Sequence, residues 1–440
     1  MGSSPNVTFE QHRDHAAALI QAALRAADPV TALSKHWDDA DFPTSPVLLL
    51  AIGKAARAMA LEALLRLGPR VAKGIITAPP DQCDAAEFAG APVNVYPCDH
   101  PYPTARNVAA AQAVCDLVKS AQPDQTLLCL ISGGGSAHLT MPAGDLTLDD
   151  IAEVTRELQL AGATIDELNC VRKHCEQLKG GRLAALSTSG KLVAYILSDV
   201  MGDKLDVISS GPTAPDPTTY RDAGEVLQRH ALSHLKRVAR HIANGIAGEL
   251  VETPKPRDPM FKRVTNRVIA SNRLVVDAVA QAATALGFEL DDVEYGREGE
   301  AATIAQHLAV VAQRLAPRSR PTAYILGGEP TVSVGSGGGL GGPSQELALA
   351  WTLAAEQFRI DNAALLTFST DGRDGPTDAA GAIVTAALAD QSRIRGHRPD
   401  ISLQTHDSYP LLDSMGALVR VPPTGTNLNH IAVLMIYPYL

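Results

Sequence analysis

Residues 126–136 read TLLCLISGGGS, a short apolar run opened by Thr126 and followed by a serine, three glycines and a second serine. The run is too short for a helix and lacks polar alternation, so it is predicted as a strand buried on both faces, as in a parallel sheet covered by helices. Ser132, Gly133, Gly134, Gly135 and Ser136 then form a turn in which bare backbone N–H groups can approach an anion closely and the two hydroxyls can add hydrogen bonds. The same grammar recurs on either side. Residues 47–52 (VLLLAI) end at Gly53 and Lys54, and residues 191–197 (KLVAYIL) end at Ser198 and Asp199. Further short strands are predicted over 74–77 and 93–96, with helices over 9–27, 54–67, 107–120, 148–160, 165–178 and 181–186. This alternation is that of an α/β fold.

The second half repeats the pattern: strands over 267–270, 322–326, 331–334, 364–368 and 431–436, with helices over 274–286, 300–315, 344–357 and 383–391. Between the halves, residues 251–263 (VETPKPRDPMFKR) are proline-rich and charged, the composition of a linker. The expected division is therefore 1–250, a linker at 251–265, and 266–440. A chain of 440 residues is long enough for two or three domains.

Composition narrows the function. Lysine and arginine total 38 against 48 acidic residues, a net charge of −10, and no basic run suits a nucleic-acid backbone. The six cysteines include no CxxC pair and read as small buried hydrophobes in a reducing compartment. The first residues carry no signal-peptide pattern, and no apolar stretch approaches the ~20 residues that span a bilayer. A cytoplasmic protein is expected.

Charged residues cluster where strand-end turns would gather them. Lys54 lies near the expected positive end of a helix, a placement that favours an anionic ligand nearby. Residues 169–182 (NCVRKHCEQLKGGR) concentrate Arg172, Lys173, His174, Lys179 and Arg182, a patch suited to an anionic substrate. Asp199 and Asp203 follow one strand, and Asp371, Asp374 and Asp378 follow another. Mg²⁺ takes hard oxygen ligands, usually one or two carboxylates with phosphate and water, and transfer to an alcohol calls for a carboxylate that orients or deprotonates the hydroxyl. Two formal matches lead elsewhere. His12-Arg13-Asp14 lacks the rest of a protein-kinase set, and no Walker A motif occurs. Gly337, Gly339 and Gly342 satisfy GxGxxG, which keeps a nicotinamide-dependent enzyme as a rival.

Taken in order, ISGGGSA, NxVRKHxxxLKGGRLA, LSDVxGDxxxxISSGPTAPDPTTY, LGGEPTV, GGxxQELAL, STDGxDGPTDAAG and PTGTNxN resemble the class II glycerate 2-kinase family, whose C-terminal part is the MOFRL domain. The resemblance runs from about Ala51 to the end. It implies two Rossmann-like α/β domains, with parallel or mixed sheets flanked by helices, facing across a cleft. It also implies ATP, Mg²⁺ and phosphorylation of D-glycerate at its 2-hydroxyl. Catalytic roles then fall to Lys54, Asp199, Arg182 and Asp371. Nucleotide binding falls to Ser132–Ser136, Gly327, Gly328, Glu329, Gly337 and Gly339; substrate binding to Gly53, Lys173, Lys179 and Arg182; and metal binding to Asp199 and Asp203. The small-molecule substrate and ATP are the expected partners, without nucleic acid or membrane, and a homodimer is the assembly to test. Some members carry the name hydroxypyruvate reductase, which stays as an alternative beside a non-catalytic sugar-acid-binding protein. Many members have arginine and asparagine where this chain has Pro343 and Ser344, a glycine at Pro422 and an acidic residue at His430. Arg182 and Arg373 are the expected substitutes for the missing arginine.

Overall fold

A computed structural model describes residues 8–42, 45–335 and 337–439. The chain divides into two compact units, Ala32–Ile269 and Met1–Thr31 with Ala270–Leu440. The proline-rich 251–265 stretch therefore belongs to the first unit, and the N-terminal helix His12–Ala27 to the second.

In the Ala32–Ile269 unit the strands are β1 (Val47–Ile52), β2 (Val71–Ala78), β3 (Val93–Pro97), β4 (Thr126–Ile131), β5 (Lys191–Ser198) and β6 (Val264–Ser271). Their spatial order is β3-β2-β1-β4-β5-β6, the order of the doubly wound dinucleotide fold. β1 pairs in parallel with β2 and β4, and β4 with β5. Every residue of β1 and β4 is buried, as their unbroken apolar runs require. One sheet face packs Leu48, Leu50, Cys129 and Ala194 against helix residues Val114 and Val118. A separate apolar cluster joins the helices Leu148–Leu160, Ile165–Cys175, Tyr220–Arg229 and Lys236–Ile246. Three of these helices open with a threonine whose hydroxyl caps an N–H three residues on, Thr147 to Asp150, Thr164 to Glu167 and Thr219 to Asp222, reciprocated by the acidic side chain.

The other unit carries β7 (Glu289–Glu300), β8 (Thr322–Thr331), β9 (Ala363–Ser369), β10 (Gly381–Thr385), β11 (Leu418–Val419) and β12 (His430–Ile436), in the order β11-β10-β9-β12-β8-β7. The sheet is mixed: β7 and β8 are parallel, while β12 runs antiparallel to both β8 and β9. Trp351 and Leu347 of the helix Pro343–Gln357 bury against Leu308 and Leu365.

Several expectations need correction. No separate strand spans 331–334, because β8 already runs through Thr331. The helix expected over 383–391 is strand β10 at its start, paired with β9, and helical only over Leu388–Ile394. β7 was not anticipated. The helix expected to run to Leu178 ends at Cys175, where Glu176 turns extended. All six cysteines are free, and all but Cys83 are buried. Among the described residues no helix is long and apolar enough to cross a membrane.

Candidate functional site

The strand order reverses between β1 and β4, and open α/β sheets receive ligands beyond the carboxyl ends of strands at such a switch point. The two turns leaving β1 and β4 meet there. Gly53 has φ +103°, and a Cβ on it would lie 2.5 Å from both the carbonyl oxygen and the Oγ of Ser132; only glycine fits. Lys54 N donates to the Gly133 carbonyl at 2.9 Å. Ser132 Oγ accepts from Ala55 N at 3.0 Å and donates to the Ile52 carbonyl at 3.0 Å. The expected serine ligand is thus committed to binding the two turns together. The helix after Lys54 begins at Ala56, two residues later than the sequence suggested.

Asp199, one residue past β5, faces this turn. A Cβ on Gly133 would come within 2.6 Å of its Oδ2, so the bare glycine makes room for the carboxylate. Desolvation raises the Asp199 pKa, and the positive charge of Lys54 acts in the opposite sense. Among the described residues the Lys54 ammonium has no hydrogen-bond or ion-pair partner within 4 Å. Lys54, the triple-glycine turn and Asp199 are therefore brought together. Asp203 sits four residues on, in the turn Met201–Asp203, with φ +53°. No group of three or more His, Cys, Asp or Glu side chains suited to a metal occurs among the described residues.

A third segment, passed over as a site in the sequence, closes the far side of the turn. Ser209 and Ser210 have φ of +51° and +60°, followed by Gly211 at +64°. Left-handed non-glycine residues cost on the order of 1–3 kcal/mol each and persist where the surroundings over-determine them. Here Ser209 Oγ donates to the Ser132 carbonyl at 3.2 Å, Ser210 Oγ meets Ser136 Oγ at 2.8 Å and donates to Asn169 Oδ1 at 2.7 Å. Gly180 N and Gly181 N donate to the carbonyls of Ser210 and Gly211 at 2.9 and 2.7 Å. The KGGR step serves as a backbone brace.

That brace corrects the expected substrate contacts. Lys173 is buried and bonded to Asp206 at 2.9 Å and Asp216 at 3.0 Å. Lys179 is buried against Glu176, and burial pushes its pKa down to about 8. Arg182 donates to the Tyr220 hydroxyl at 3.2 Å and the Val251 carbonyl at 3.1 Å. All three cations are consumed inside the unit. Arg172 alone in the run has no hydrogen-bond or ion-pair partner, and its Nε is buried. His100, which the sequence reading also missed, lies along the triple-glycine turn, its Cδ2 3.2 Å from where a Gly134 Cβ would be. Desolvation of its covered side, then the charges of Lys54 and Arg172, push its pKa down. Neither His100 nor the two serines follows a glycine-rich strand end, the signal that exposed the other turns.

In the other unit the expected residues mostly shape the backbone. A Cβ on Gly328 would lie 1.9 Å from the Arg297 carbonyl oxygen across β7, and one on Gly327 2.3 Å from Asn272 Oδ1. Glu329 is exposed, and Asn429 Nδ2 donates to it at 3.3 Å. In the 335–342 loop Ser336 lies outside the described residues. Gly337 has φ +104° with open space beside it, whereas Gly339 packs on Asp407. Residues 332–342 separate β8 from its following helix, so these glycines do not make the tight strand-to-helix turn that the dinucleotide fingerprint requires. Asp371 Oδ1 accepts from Ser369 Oγ at 2.8 Å and Arg373 N at 2.9 Å. Asp374, buried, caps the helix Pro343–Gln357 by accepting from Ser344 N at 3.0 Å and Gln345 N at 2.8 Å, and desolvation raises its pKa to about 6. Ser344 Oγ lies 2.7 Å from His430 Nδ1, so two of the positions that depart from the family pattern touch each other.

Fold and turns together define a doubly wound α/β protein with two interlocked glycine turns at its switch point. Comparison with known proteins narrows this. Residues 15–244 match a family described as a domain of unknown function, DUF4147, and residues 322–430 match the MOFRL family. A D-glycerate 2-kinase of Thermotoga maritima is 36% identical over 89% of this chain and 90% of its own. A glycerate 2-kinase of Pyrococcus horikoshii is 36% identical over 95% and 96%. The crystal structure of the Thermotoga maritima glycerate kinase superposes with a TM-score of 0.87, at 34% identity, covering 97% of this chain and all of that one. The chain belongs to the glycerate 2-kinase family that carries the MOFRL region.

Proposed function

We propose that the chain is a cytoplasmic glycerate 2-kinase that moves the terminal phosphoryl group of ATP onto the 2-hydroxyl of D-glycerate. The observation that carries this reading is the fixed placement of Lys54, free of protein partners, between the triple-glycine turn and Asp199. Backbone N–H groups of Gly133 and Gly134 receive phosphate oxygens, and Lys54 neutralises charge that builds on the transferring group. The hydroxyl oxygen forms the new bond to phosphorus as the bond to the bridging oxygen of ADP breaks. Asp199 orients the hydroxyl and takes its proton. Asp371 spends Oδ1 on its own turn, which leaves Asp199 as our assignment for this role.

The residues fit a magnesium ion held mainly by substrate. Mg²⁺ keeps several waters and needs only one or two carboxylates besides phosphate, and Asp199 borders the phosphate turn with Asp203 on the same loop. Those two side chains would hold the ion, which would neutralise phosphate charge.

A paired assay tests the reading: ADP formation with D-glycerate and ATP, and NADH oxidation with hydroxypyruvate. ADP formation with a 2-phospho product supports it. Turnover in the NADH assay alone overturns it in favour of a reductase, and silence in both, with D-glycerate still bound, favours a binding protein.

A further inference from the structure

Residues 169–182 hold five basic side chains, and four of them have protein partners. Lys173, Lys179 and Arg182 are engaged as described, and His174 Nε2 lies 2.9 Å from Glu252 Oε1. Arg172 is the exception. It stands on the helix Ile165–Cys175 three residues after Asn169, so the two share a helix face, and Asn169 holds the strained Ser209–Ser210 turn. The Cβ position of Gly134 lies 3.2 Å from His100 Cδ2 and 3.6 Å from Lys54 Cγ, so both side chains line the triple-glycine turn. The helix that carries Arg172 reaches the same turn through Asn169, Ser210 and Ser136, and the charge of Arg172 acts on His100. His138, fully buried, adds an Nε2 with no partner and also feels His100 and Lys54. A half-buried guanidinium with an unpartnered, desolvated N–H is unfavourable until an anion meets it, and its planar fork matches a carboxylate through two parallel hydrogen bonds.

We propose that Arg172, with His100 beside it, is the receptor for the acceptor's carboxylate and makes this site select α-hydroxy acids over neutral polyols. The inference rests on the kinase reading for the identity of the acceptor. The phosphoryl donor already has Lys54 and the N–H groups of the turn. The acid brings its own negative charge and has no other free cation in the 169–182 run.

The test compares wild type with Arg172→Gln and Arg172→Lys, reading the KM for D-glycerate and for ATP, turnover with glycerol as the neutral acceptor, and calorimetric binding of D-glycerate alone. Losing a charged, bidentate contact should raise the D-glycerate KM and Kd of Arg172→Gln by about 10- to 100-fold. The ATP KM should stay within about twofold, and the preference for D-glycerate over glycerol should shrink. Arg172→Lys, which keeps the charge and loses the fork, should fall between. Unchanged D-glycerate affinity in Arg172→Gln, or a rise confined to the ATP KM, overturns the proposal, the second outcome assigning Arg172 to phosphate. A wild type that binds D-glycerate without phosphorylating it sinks the kinase reading alone, and the binding arm still decides Arg172. A wild type that binds none overturns both.

Discussion

The backbone N–H of Lys54 donates to the Gly133 carbonyl at 2.9 Å, so the lysine is positioned by its main chain and its ammonium is left for a ligand. Lys54→Ala keeps that hydrogen bond and should keep the fold. Removing one donor from a preorganised charge-stabilising site costs about 10²- to 10³-fold in kcat, and we expect a loss of that order with a Tm close to wild type. Near-normal kcat in a coupled ADP assay would remove Lys54 from the mechanism.

Gly53→Ala places a methyl 2.5 Å from the Ser132 carbonyl at φ +103°. Neither the backbone oxygen nor the left-handed geometry can yield cheaply, so a loss of about 1–3 kcal/mol is expected in urea unfolding. A variant as stable as wild type would mean that the two turns are not held as described.

Lys173 separates a structural from a substrate-binding role. Removing one member of a buried ion pair typically costs about 3–5 kcal/mol, and Lys173→Met should show this in urea while the D-glycerate KM of the folded fraction stays unchanged. A raised KM at undiminished stability would restore the role that the sequence suggested.

His138 supplies a pH signature. Burial holds its folded pKa at about 4, below the ordinary 6.5. A depressed histidine contributes stability that is present above pH 6.5 and is lost as pH falls through 4. Between those limits this amounts to about 3 kcal/mol. Unfolding midpoints from pH 7 to 4 should fall less steeply for His138→Gln than for wild type, and parallel curves would refute the assignment.

The metal assignment is checked by titration. Asp199→Asn and Asp203→Asn should each raise the Mg²⁺ concentration needed for half-maximal activity by about tenfold or more, and Asp199→Asn should also lower kcat at saturating metal. An unchanged metal titration in both variants counts against both carboxylates.

The doubly wound half was legible because β1, β4 and β5 carry short apolar runs closed off by glycine, serine or aspartate, and those flanking breakers favour a strand over a helix. The strand at Gly381–Thr385 was misread because a run as short as GAIVT has no periodicity that separates strand from helix. β7, an edge strand written ELDDVEYGREGE, hides behind the charges that keep an edge from pairing with another chain. At the site, glycine turns and strand-end carboxylates announced themselves, whereas the fate of each cation did not. Lys173 finds Asp206 and Asp216 some 33 and 43 positions away, a pairing that no local pattern records. Arg172 looked like one charge among several until its neighbours were seen to be engaged.

The interlocked turns at Gly53 and Ser132 also limit how such a chain can change its chemistry. With no space for even a methyl group on that side, drift in acceptor preference has to come through the helical wall that carries Arg172, where side chains can be exchanged without moving a strand. Directed evolution toward new hydroxy acids should therefore act at and around Arg172, whose side chain is only half-buried, and leave the glycine turns untouched.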